Sequence, residues 1–104
     1  MRFLLKAIMD TDRANALAKT GKLGSTIQEI VEELKPEAAY FTDDHGKRTA
    51  FLVFEMKDAS QIPAIAEPWF LALNAHIEFH PVMVAADLEK ATPGIANAAK
   101  KYAA

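Results

Sequence analysis

AHIEFHPVM, residues 75–83, decides how the rest of this chain is read. His76, Glu78 and His80 alternate with Ile77 and Phe79, the period of two that marks a strand with one apolar face and one titratable face. Upstream, Ile62, Ile65, Ala66, Trp69, Phe70 and Leu73 recur at spacings of three and four. That spacing predicts a helix capped by Ser60, kinked by Pro68 and closed at Asn74. Downstream, residues 87–91 suit a short helical turn, and Thr92 with Pro93 suit the cap and first position of a last helix ending near Tyr102.

Further toward the N-terminus, FLLKAIM at residues 3–9 reads as a first strand, stopped by the helix-capping cluster Asp10, Thr11 and Asp12. The helical region 13–35 is broken between Gly21 and Gly24. Ser25 and Gln28 then offer a capping box, with Ile27, Ile30, Val31 and Leu34 as the buried stripe before Pro36 ends the helix. Residues 38–42 and 47–56 read as two strands around a turn at 43–46 in which Gly46 supplies positive φ.

The order is β-α-β-β-α-β with an added C-terminal helix, which is the ferredoxin-like α+β sandwich, as a single domain over residues 1–104. Right-handed crossovers place the first and third strands at the centre and the fourth at an edge beside the first. Helices then cover Phe3, Leu5, Ala7, Ile77 and Phe79. Leu4, Lys6, Ile8, Glu78 and His80 fall on the far face, whereas the third strand is apolar on both faces.

With 104 residues, about half of them hydrophobic, the chain can bury one modest core. Twelve basic residues against fourteen acidic ones, with no basic stripe, argue against a nucleic-acid partner. The absence of cysteine removes disulfides and thiolate chemistry. The apolar start is too short for a signal peptide and Lys6 interrupts it, and no run is long enough for a membrane span, so a cytoplasmic protein is expected.

A far face that mixes Leu4, Ile8 and large third-strand residues with a few charges is too apolar to stand open in water. In element order and in that half-apolar face, the chain resembles the dimeric α/β-barrel proteins, a superfamily that includes small cofactor-independent monooxygenases and muconolactone isomerase. GKRTAF at 46–51 together with IPAIAEPW at 62–69 is also similar to small bacterial proteins of unassigned function. The resemblance implies a homodimer formed through the sheet face, and it transfers no catalytic motif to particular residues.

The candidate chemistry follows from these placements. Same-face neighbours on a strand stand about 6.5–7 Å apart, so two members of the H-x-E-x-H run could chelate one ion, with Glu55 or His45 as the tempting third ligand. An edge strand with a solvated or ion-paired polar face explains the run more simply, so no metal and no cofactor is assigned. Lys6 is expected to pair with Glu78, and Glu55 to join that network. His80, oriented by Glu78, is the candidate acid/base. Tyr40, Glu55, Arg48 and Trp69 are the candidate ligand-binding residues, although core packing accounts for Trp69 and Phe70 as well. Gly21 and Gly24 read as a helix break and not as a phosphate cradle. The leading expectation is a homodimeric small-molecule-binding or interaction module. The alternative is a cofactor-independent, monooxygenase- or isomerase-like enzyme acting on a small organic substrate through His80.

Overall fold

The computed structural model describes residues 1–103. Strand β1 (Arg2–Ile8) leads to helices α1 (Thr11–Lys19) and α2 (Leu23–Leu34). The hairpin β2 (Ala38–Asp44) and β3 (Lys47–Glu55) follows, then α3 (Ile62–Leu73), β4 (His76–Pro81) and α4 (Ala85–Tyr102). The four strands form one antiparallel sheet in the order β2-β3-β1-β4. This is the ferredoxin-like order, with β1 and β3 central and β4 at an edge.

Local chemistry explains most of the boundaries. Asp10 caps α1 by accepting from the Arg13 backbone N–H at 3.0 Å. Lys35, left-handed at φ 51°, ends α2 just before Pro36, which cannot continue a helix. His45 and Gly46, at φ 51° and 79°, form a two-residue turn between β2 and β3, matching the right-handed twist of the paired strands. The first hairpin strand is consequently longer than the sequence suggests, reaching Asp44, while β3 starts at Lys47 as expected and ends at Glu55.

Several local expectations are corrected. Ser25 and Gln28 form no capping box: α2 starts earlier, at Leu23, and the Ser25 and Thr26 hydroxyls donate back to the Lys22 carbonyl. The cap before α3 is Asp58 and not Ser60; its carboxylate accepts from the Ser60 N–H while Gln61 Oε1 accepts from the Asp58 N–H, across a short 3-10 turn at Ala59–Gln61. Phe70 leaves the buried stripe of α3, whose buried members are Ala66, Trp69 and Leu73. The largest correction is at the C-terminus. One continuous α4 replaces the expected turn and separate helix, and Pro93 lies inside it.

The core lies between the sheet and α1–α3. Register places Leu5 opposite Leu52 and Phe79, and Ala7 opposite Ala50 and Ile77, on the helix-covered face. Phe54 stands between Phe3 and Phe79, with ring centroids 6.3 and 6.2 Å away. The same register settles the third strand: Phe51, Val53 and Glu55 share the far face with Leu4, Lys6, Tyr40 and Glu78.

Helix α4 stands apart from this body. None of its described residues is buried, and it packs extensively against no other described element. The molecule measures 59 × 28 × 21 Å with a radius of gyration of 17.5 Å, against about 13 Å for a compact chain of this length. No helix is long and apolar enough to cross a membrane among the described residues.

Candidate functional site

The most ligand-like feature is a groove of about 620 Å³ between α2 and the β2–β3 hairpin. On α2, Gly24, Ile27, Gln28, Val31 and Glu32 fall at helical spacing and form one wall. Phe41, Thr42, Arg48 and Thr49 from the hairpin form the other, with Met9 beside them. The groove exists because Phe41 points to the helix side of the β2 edge, where α2 leaves it 56% exposed.

The polar groups at the groove are few. Arg48 donates from Nη1 to Asn15 Oδ1 at 2.9 Å, which anchors one corner of the guanidinium. Gln28 donates to Glu32 Oε1 at 3.0 Å. Thr49 is buried and donates its hydroxyl to the Lys47 carbonyl. An apolar trough with the Arg48 guanidinium on the hairpin wall, and the Glu32 carboxylate on the α2 wall held by Gln28, suits a flat or branched organic molecule that turns an anionic or strongly accepting group toward Arg48.

The other sequence-predicted residues do not join Arg48. Tyr40 lies on the far face, 66% exposed and opposite Phe51. Glu55 and Trp69 line a second cleft of about 540 Å³ with Ser60 and Gln61. Trp69 is fully buried there, its Nε1–H without an acceptor among the described residues. Glu55 accepts from the terminal ammonium of Met1 at 2.9 Å, a contact that lowers its pKa from the ordinary carboxylate range.

On β4, Glu78 sits between both histidines, 3.1 Å from His80 Nε2 and 3.5 Å from His76 Nε2. The hydrogen bond with His80 lowers the Glu78 pKa, with smaller help from Lys6 and His76. Lys6 takes a different partner from the expected one: its ammonium lies 3.0 Å from Asp44 at the end of β2, reaching across β3. That contact raises the Lys6 pKa and lowers that of Asp44. Glu55 pairs at the opposite end of the sheet and belongs to neither network. No group of three or more His, Asp or Glu side chains is placed to hold a metal ion among the described residues.

Ile27 and Val31 were legible as an apolar stripe, but their role as a groove wall was not. Phe41 and Gln28 were missed as wall residues. The available signal was the alternation of Ala39 and Phe41, which aims a large apolar side chain at the helix side of an edge strand.

The fold is of the ferredoxin-like α+β type. A structure of 5-chloro-2-hydroxyhydroquinone dehydrochlorinase (TftG) from Burkholderia phenoliruptrix AC1100, in complex with 2,5-dihydroxybenzoquinone, is similar to it at a TM-score of 0.61. That likeness covers 84% of this chain and 98% of that one, at 17% identity. Within that class the chain belongs to the family described as domain of unknown function DUF3303, which it matches over residues 1–95. The de novo designed protein Ferredog-Diesel aligns at 9% identity and a TM-score of 0.45, over 78% of this chain and 85% of that one. No curated protein matches the chain.

Proposed function

We propose that this protein is a homodimeric small-molecule-binding module whose copies pair through the far face of the sheet. Its ligand is a small organic molecule with an apolar body and an anionic or accepting group directed at Arg48. The observation that carries this reading is the apolar groove with a single guanidinium at its edge. The half-apolar far face, with Leu4, Phe51 and Val53 only partly covered and Tyr40 exposed, supports the pairing.

An apolar fluorescent sulfonate, 1-anilinonaphthalene-8-sulfonate, tests the site. It should bind saturably at one site per chain, and Arg48→Met should weaken it by about tenfold, the loss of one charge-assisted contact. Binding unaffected by both Arg48→Met and Ile27→Arg would place the dye elsewhere and remove the groove from the proposal.

A second reading draws on the imidazole–carboxylate pair on β4. His80, with Glu78 holding its Nε2 at 3.1 Å, has the arrangement of an oriented proton acceptor. The fold neighbour acts on a chlorinated hydroxyhydroquinone, so chloride release from 5-chloro-2-hydroxyhydroquinone is the first assay. Turnover that disappears in His80→Ala favours the enzyme; no turnover by the unaltered protein favours the binding module.

A further inference from the structure

We infer that the groove between α2 and the hairpin is closed by α4 of a second copy, so that each ligand site takes one wall from its partner. The inference rests on the dimer and groove reading above and adds to it the element that completes the site.

Helix α4 needs a partner for its own stability. Most helical stability in proteins comes from packing an amphipathic face, and an interior proline and glycine, here Pro93 and Gly94, weaken α4 on its own. Yet its apolar residues are ordered like a docking face. Leu88, Ala91, Ile95, Ala98 and Tyr102 recur at spacings of three and four. Leu88, Ile95 and Tyr102 are 52%, 58% and 77% exposed.

The groove has the complementary deficit. Its lining is almost wholly apolar but it opens to solvent, whereas sites for small molecules enclose about 70–90% of the ligand surface. A wall is missing, and an apolar helix face would supply it. Charge sets the direction of docking. On the groove side of α2 stands the exposed carboxylate Glu32, and the last turn of α4 carries Lys100 and Lys101, also exposed.

Topology makes the second copy the donor of that wall. Strands β4 and β2 are opposite edges of the sheet. A two-fold that closes two such sheets into one ring, running β2-β3-β1-β4 twice, sets β4 of each copy beside β2 of the other. Helix α4 follows β4 after three residues, so it starts near the Ala38 end of the partner's β2, and the groove at Phe41 and Thr42 lies roughly 10–13 Å further along that strand. At about 1.5 Å per residue its 18 residues span roughly 27 Å, enough to cross α2 of the partner.

The chain has no cysteine, so site-directed cross-linking is free of background. Ile95→Cys and Val31→Cys are made as separate full-length proteins, mixed to exchange subunits and treated with a short bismaleimide. Products are identified by intact mass, and light scattering fixes the oligomeric state of each sample. The expected product is the mixed dimer, one chain of each variant, in excess over either self-linked dimer. Lys100→Glu with Lys101→Glu in the Ile95→Cys chain should lower its yield about tenfold, and Glu32→Lys in the Val31→Cys chain should restore part of it.

Predominant self-linking of Ile95→Cys would mean that the two α4 helices pair with each other, which overturns the inference. In a further chain that carries both Ile95→Cys and Val31→Cys, linkage within the chain would mean that α4 folds back on its own body, which overturns it equally. No cross-link in a sample that scatters as a dimer overturns the inference alone; a monomer overturns the dimer reading with it.

Discussion

Replacing Tyr40 with serine tests whether the far face is the dimer seam. A tyrosine side chain offers about 200 Å², and Tyr40 is 66% exposed in the single chain. Covering that remainder removes roughly 130 Å² from water, or about 3 kcal/mol per copy at ~25 cal/mol per Å². A two-fold interface holds two such residues, which doubles the figure to about 6 kcal/mol as an upper bound. The phenol hydroxyl and the ordering of the ring on association reduce it to about 3 kcal/mol, a rise of roughly a hundredfold in the dimer dissociation constant. Sedimentation velocity over a dilution series measures this. Leu71→Ser is the matched control, because Leu71 is 78% exposed on α3, away from the sheet. A dimer constant unchanged by Tyr40→Ser, or raised equally by Leu71→Ser, refutes the pairing through the sheet.

Glu78 titrates below its ordinary value of 4.5 in the folded protein because His80 hydrogen-bonds to its carboxylate. Its contribution to stability is therefore present above that ordinary value and is lost as pH falls through the lower folded one. The difference in urea midpoint between the natural chain and Glu78→Gln should hold from pH 7 to about 5 and shrink on further acidification. Trp69 fills the core with no exposed surface, so Trp69→Ala should lower unfolding free energy by about 3–5 kcal/mol in urea melts. Trp69→Phe should cost clearly less, because Nε1–H donates to no described acceptor and no hydrogen bond is lost with it.

The parts of the fold that the sequence made legible are those decided by near neighbours. Alternation at Phe3, Leu5 and Ala7 and at Ile77 and Phe79 identified the buried face of β1 and β4, since strand periodicity acts residue by residue. Asp10 and Pro36 marked helix ends through local hydrogen bonding and steric exclusion. Errors appeared where two local signals competed. Ser25 lost to an earlier start at Leu23, Ser60 lost to Asp58, and Thr92 with Pro93 looked like a fresh start but lies inside α4.

By itself, then, the sequence determined the order of elements, the sheet topology and the half-apolar second face, because each follows from periodicity, capping or chirality. Only the tertiary structure decided the rest. Which faces Phe51, Val53 and Glu55 occupy depends on register with β1, and a one-residue slip would exchange them. Lys6 reaching past β3 to Asp44 depends on the length of a hairpin that the turn at His45 and Gly46 sets. The groove between α2 and Phe41, and the exposed flank of α4, are spaces between elements. No local rule in the chain records a space, since its size is set by how packed elements settle against one another in three dimensions.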